Sequence, residues 1–513
     1  MRFEMRVANT LRNGFVGMIS QLIILVTGFI LRAIFINVLG QEVLGLNGLF
    51  LDILSILSVT ELGIGTAIMY SLYKPIFEDD VETITGLMNL YRKAYRLIGS
   101  TIFVISLLIL PFIQIFIKNF TLDIQYIRFI FILFAFNTML SYFLGYSRIL
   151  LFAKQRNYVV LSIDFIAKIT LTLAQALILI YTRNFILYLL LNISYTLATN
   201  LIIRSIARKD YPYLKDKSTQ VKDHIKSEIL RNIKYLSIST IISVGVLGTD
   251  RIIISSLIGI TVLGVYSNYA LIIQQVQLLF ISLLNGVVAS IGNLLVEGDR
   301  DKIQRIYKVY HFAYFLIASF TSIALYVLLT PFIKDIWLSP EFEIASILVA
   351  VIVFNSYLHF MRQPVWQIQS TAGIFKYYIP FSIIEFVLNL VISIIGAIYW
   401  GMLGVFIGTT IAYMVSWIGQ AWILNKYVIH ASIRKYYLKQ LEYIGLVFFE
   451  LIIILWIISK VNLRNALFNF IAHGFIIFMI TSIIHIILYH RTVEFKYLKT
   501  QIFDKSLKRL KRS

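Results

Sequence analysis

The chain has 513 residues, of which 59% are hydrophobic, 15% aromatic and only 14% charged, with a formal net charge of +20. That balance excludes a soluble globular protein of ordinary composition, and the absence of cysteine excludes disulfides, thiol catalysis and cysteine-ligated metal. The basic residues are dispersed among short segments rather than gathered on one domain, so no nucleic-acid partner is expected from the high pI.

A bilayer-spanning helix needs about 20 mainly apolar residues. Fourteen such stretches follow one another at 11–38, 44–72, 94–117, 124–149, 159–182, 185–206, 233–257, 262–296, 309–333, 343–368, 378–400, 402–425, 440–459 and 467–489. After the sixth comes the most hydrophilic stretch of the chain, 207–232, which reads as a connector with some amphipathic helix. Most Lys and Arg fall in the segments that share a side with the N-terminus, and positive residues accumulate on the cytoplasmic side. Both termini are therefore expected in the cytoplasm of a cell-membrane, multi-pass protein. The basic tail KSLKRLKRS suits contact with anionic membrane lipids. Asp79 and Asp80 precede an amphipathic pattern and read as helix-capping acids.

The front half of the chain recurs. RAIFINVLGQEVLG at 32–45 meets RIIISSLIGITVLG at 251–264 with six of fourteen positions identical, among them Arg32/Arg251, Gly40/Gly259 and Gly45/Gly264. The offset of 219 also aligns YRKAYRLI at 91–98 with YHFAYFLI at 310–317. Chance would match roughly one position in ten in apolar segments of this kind, so the pattern is duplication. An even number of spans separates the copies, which predicts parallel repeats about an axis along the membrane normal, a build found in transporters. The expected fold is all-α and polytopic: an N-terminal six-helix bundle at 1–206, the cytoplasmic connector 207–232, its repeat at 233–425, an extra helix pair at 426–490 and the basic tail 491–513.

Ionisable groups inside spans are costly and usually face a polar cavity or a partner. They comprise Arg32, Asp52, Glu61, Asp164, Lys168, Asp250, Arg251, Glu385, Glu450 and His485. Arg32 and Arg251 repeat, as do Asp164 and Glu385, so both pairs are candidates to line a central cavity. Asp164 and Lys168, spaced i, i+4, also suit mutual neutralisation. Guanidinium groups are always charged and fork onto phosphate oxygens, which makes Arg32 and Arg251 candidate phosphate ligands, with Lys168 beside them. Asn268, Gln274 and Gln277 on the eighth span suit sugar hydroxyls. Asp164, Glu385, Glu61, Asp250 and Asp52 are the carboxylates that coupling to an H+ or Na+ gradient would use. No Gly-x-x-x-x-Gly-Lys-Ser/Thr motif is present, so neither a nucleotide nor another cofactor is expected.

ELGIGTAIMYSLYKP at 61–75, LMNLYRKAYRLIG at 87–99, GTDRIIISSLIGITVLGVYSNY at 248–269 and ASIGNLLVEGDRDK at 289–302 resemble the Wzx-type polysaccharide flippases. These belong to the superfamily of multidrug, oligosaccharidyl-lipid and polysaccharide exporters. The resemblance runs along essentially the whole chain, although Arg251 stands where family members often carry Asn. It implies a non-enzymatic, alternating-access flippase moving undecaprenyl-pyrophosphate-linked oligosaccharide between leaflets, for capsule, O-antigen or exopolysaccharide. A polymerase and glycosyltransferases are its implied partners, and a groove for the isoprenoid tail is implied at the extra spans. The alternative is a drug or cation antiporter of the same superfamily, which usually has twelve spans.

Overall fold

The computed structural model describes residues 2–61, 64–154, 156–216, 218–221, 226, 248–297 and 300–500. Most of the expected seventh span, part of the connector and the end of the tail lie outside them. The described residues are mostly helical, with no strand among them. The hydrocarbon interior offers backbone groups no water to bond, so a spanning chain must satisfy them within each helix. Ten described helices are long and apolar enough to cross a membrane. Two compact units divide the chain, Met1–Gly264 and Val265–Ser513.

In the first unit, α1 (Arg2–Leu57) comprises two helical arms that meet at a non-helical Gly40, where φ is +84°; they hold the first expected span and the start of the second, whose remainder runs into α2. Only glycine adopts that backbone without strain. A 3₁₀ turn at Ser58–Glu61 leads to α2 (Ile64–Phe77). Then come α3 (Val81–Ile109), α4 (Ile124–Gly145), the short α5 (Arg148–Ala153), α6 (Asn157–Thr182) and α7 (Phe185–Asp210). Polar side chains start several of them. Asp80 accepts from the Thr83 amide, as its capping position predicts, Asp123 from Gln125 and Tyr126, and Asn184 from Ile186 and Leu187.

The opening of the second copy also packs in this unit. Residues 248–253 are helical and run into a π turn at Ile254–Ile258, ended by Gly259, before α8 (Ile260–Glu297) begins. Two glycines let α1 and α8 meet backbone to backbone. A Cβ on Gly45 would stand 2.2 Å from the Ile260 carbonyl oxygen, and one on Gly264 2.1 Å from that of Gln41. Under the 219-residue offset Gln41 corresponds to Ile260 and Gly45 to Gly264, so the contact is self-complementary, like a two-fold interface within one chain. Around it, Glu42 accepts from the Thr121 amide and hydroxyl, while the Lys118 amide donates to the Ser255 carbonyl at 3.0 Å and the Ile260 amide to that of Lys118 at 3.1 Å.

The second unit takes the rest of α8, then α9 (Arg300–Pro331) with a π turn to Trp337, α10 (Ser346–Thr371), α11 (Phe375–Trp400), α12 (Met402–Leu424), α13 (Ile433–Ile458), α14 (Ala466–Tyr489) and the short α15 (Val493–Lys499). Small residues bring α11 and α12 close. A Cβ on Gly404 would lie 2.0 Å from the Gly396 carbonyl oxygen, and one on Gly408 2.4 Å from the Ser393 hydroxyl. This is the packing that membrane helices use when lipid is as apolar as their side chains. Helices α13 and α14, which have no counterpart in the repeat, join α9 partly through a polar knot. The Glu450 carboxylate is fully buried, takes the Ser319 hydroxyl at 2.5 Å and lies 3.0 Å from His485 Nε2.

Candidate functional site

The duplicated arginines meet within the first unit. Arg32 and Arg251 each stand eight residues before the glycine that ends their helix, Gly40 or Gly259. Asp52 comes twelve residues after Gly40, on the returning arm of α1. Arg251 Nη1 lies 3.0 Å from Asp52 Oδ1 and 3.4 Å from Oδ2, with both side chains mostly buried. Arg32 is close enough for the Arg251 charge and the Tyr188 phenol to act on it electrostatically. Edge-on aromatic contacts of Phe35 with Phe185 and Tyr188, at 5.6 and 5.2 Å, wall this place. The repeat equivalent of Asp52 is Leu271, so the carboxylate breaks the symmetry that the arginines keep. Two guanidinium groups thus lie close together in a poorly hydrated setting, where attraction for an anion is stronger than at a surface.

The other candidates fall elsewhere. Asp164 pairs not with Lys168 but with Arg148, through contacts of 2.6 and 3.0 Å, and Arg148 Nε also donates to Asn200. Lys168 lies over the Tyr195 ring, 5.9 Å from its centre. Glu385 repeats the theme by pairing with Arg362, whose guanidinium lies 4.3 Å from the centre of the Tyr413 ring. Both duplicated carboxylates are thus held by an arginine from a preceding helix. Glu61 accepts from the Tyr95 and Tyr142 hydroxyls. Asp250 neighbours Arg251 in sequence and so points from another side of the helix.

In the second unit Asn268 is fully buried, with Nδ2 donating to Val265 at 3.3 Å, and Gln277 donates to the Ser356 hydroxyl at 3.0 Å. Gln274 is exposed. Arg148 and Arg362 are the partners that sequence reasoning missed. An arginine upstream of a repeated carboxylate in both copies was the available signal, but helical spacing within one span favoured Lys168 instead. An apolar cavity of about 410 Å³ opens among α9, α10, α12 and α13, lined by Ile323, Val353, Phe354, Ile407, Phe448 and Leu451. No group of side chains suited to a metal ion occurs among the described residues.

No protein-family model and no curated protein matches the sequence. Solved structures do. The chain is similar to the lipid II flippase MurJ in an inward closed conformation, at 15% identity over 93% of this chain and 99% of that one, with a TM-score of 0.66. It is also similar to an inward-facing multidrug resistance MATE family transporter of the MOP superfamily, at 16% identity over 77% and 92% of the two chains and a TM-score of 0.59. A MOP superfamily transporter from Pyrococcus furiosus Vc1 (DSM3638) follows at 15% identity, 81% and 94% coverage and a TM-score of 0.52. At these identities the likeness establishes the fold, and the chain has the all-helical, multi-pass fold of MOP-superfamily transporters.

Proposed function

We propose that this protein is an alternating-access flippase for a lipid carrying a phosphate-linked oligosaccharide, with undecaprenyl-pyrophosphate as the carrier lipid. The observation that carries the reading is that Arg251, paired with Asp52, and its duplicate Arg32 lie within electrostatic reach of each other in one unit. A pyrophosphate would compete with Asp52 for Arg251 and add Arg32 as a second forked donor. A displaced carboxylate needs a new counter-charge, a proton or Na+, which offers a route to coupling without a nucleotide. The apolar cavity beside α13 suits part of a polyprenyl tail.

The test is transport by reconstituted protein in vesicles loaded with lipid-linked oligosaccharide. Replacing Arg32 and Arg251 together by Ala should abolish translocation, and Lys at either position should restore part of it, since Lys keeps the charge but loses the fork. Normal translocation by the double Ala variant at normal expression would overturn the proposal.

A further inference from the structure

The other end of the first unit, expected to face the cytoplasm, gathers three more guanidinium groups on one ring. Arg92 on α3 stands 5.0 Å from the centre of the Tyr146 ring, and Arg204 on α7 stands 5.9 Å from it. Arg208, one helical turn beyond Arg204, adds its charge to the same phenol. Arg92 is only 5% exposed, and its Nη2 donates to the Leu214 carbonyl at 3.2 Å. The Nε atoms of Arg92, Arg204 and Arg208 are all buried without a hydrogen-bond partner.

Among the described residues no carboxylate pairs with any of the three. The acids near these elements are engaged elsewhere: Asp210 with Arg156 at 2.6 Å, and Asp216, two residues from Leu214, by accepting from the Ser218 amide and hydroxyl. A tyrosine ring and one carbonyl do not neutralise three positive charges. Burying charge without a partner is costly, and like charges brought together repel.

The second copy shows that helix packing does not demand this charge. At the same 219-residue offset, Arg92, Arg204 and Arg208 correspond to His311, Ile423 and Tyr427. His311 is filled in by protein, lying 3.2 Å from Gln440 Nε2 and against the rings of Tyr436 and Tyr443. In the first copy the equivalent place is charged, with no counter-ion among the described residues.

We infer that Arg92, Arg204 and Arg208 form a binding site for a phosphate group, separate from the Arg32–Arg251 cluster. Each guanidinium supplies an unused Nε–H, and a phosphate offers several oxygens in the geometry that such forked donors match. The last turn of α7, with Arg208 and Lys209, is where membrane headgroups would lie. The phosphate therefore belongs either to an anionic lipid headgroup or to a soluble phosphate.

Thermal unfolding of the full chain in phosphatidylcholine nanodiscs tests this, with phosphatidylglycerol added in one arm and inorganic phosphate, against chloride of equal ionic strength, in the other. Ligand binding should raise the wild-type midpoint by about 2–4 °C or more. A rise with phosphatidylglycerol alone assigns the site to a lipid headgroup, and a rise with inorganic phosphate assigns it to a free anion. The double variant Arg204→Gln/Arg208→Gln leaves the Arg92–Leu214 bond in place and should lose most of the rise. No rise in the wild type with either anion would overturn the inference, as would an equal rise in the double variant. The wild-type arms decide the matter even if the variant fails to fold.

Discussion

Gly45 rests on the Ile260 carbonyl while Gly264 rests on that of Gln41, so two positions 219 residues apart make the same contact on each other's helices. Both neighbours are backbone, which cannot swing aside as a side chain would. Ala at Gly45 or Gly264 should destabilise this arrangement by about 1–3 kcal/mol, as overpacking does. Transport should fall by about tenfold for each 1.4 kcal/mol if the seam must form in every cycle. Gly28, with nothing within 4 Å of its virtual Cβ, is the control, and Gly28→Ala should transport like the parent. Wild-type rates for Gly45→Ala and Gly264→Ala would show that the seam can open without loss.

The duplicated ion pairs predict a stability effect. Arg362 and Glu385 side chains are 15% and 8% exposed, so Glu385→Gln leaves a mostly buried guanidinium without its carboxylate. Breaking such a pair costs about 3–5 kcal/mol. Replacing both partners with Met should recover much of that loss, read as the denaturant midpoint in detergent. A Glu385→Gln protein as stable as wild type, but no longer responsive to a proton gradient, would instead place this carboxylate in coupling.

Glu450, Ser319 and His485 predict how the extra helices are attached. Glu450→Ala removes the acceptor shared by α9 and α14 and should speed amide hydrogen exchange along 433–489 more than along 346–424. The double variant with His485→Ala should be less damaging than the sum of the two single changes, because they break one contact. Strict additivity would mean that the two residues act apart.

Topology is open to a direct check, since the chain contains no cysteine. A single cysteine at Arg183, an exposed residue in the two-residue turn between α6 and α7, should react with an impermeant thiol reagent from outside. Cysteines at Lys217 and Leu510 should react only after the membrane is opened. Outside labelling at either would reverse the orientation deduced from the basic segments.

Helices were legible in the sequence because unbroken apolar runs leave a membrane chain one economical backbone. Gly40 marked a break between spans, and the chain does leave helical geometry there, with φ at +84°, so that two helical arms meet at that glycine. The repeat pointed to Arg32 and Arg251 as a pair, and periodicity could say nothing of Asp52, which is 199 residues away from its partner. Asp164 shows the limit most plainly. Local spacing offers Lys168, but side-chain direction and the fold offer Arg148, whose fork donates to both carboxylate oxygens at once. Arg92 belongs to α3 and Arg204 and Arg208 to α7, and only their convergence on Tyr146 separates them from the basic residues common at that side of a membrane.

The placing of residues 248–264 in the first unit bears on how the protein is made. A ribosome that has released only the first six helices has produced neither Arg251 nor Ile260, so Asp52 has yet to gain its ion-pair partner and Gly45 its backbone neighbour. Maturation of that unit must wait for the start of the second copy. Splitting the gene in the hydrophilic connector would therefore yield two polypeptides that need each other, whereas a break placed after Gly264 would leave the earlier fragment holding all the parts of its own charge cluster.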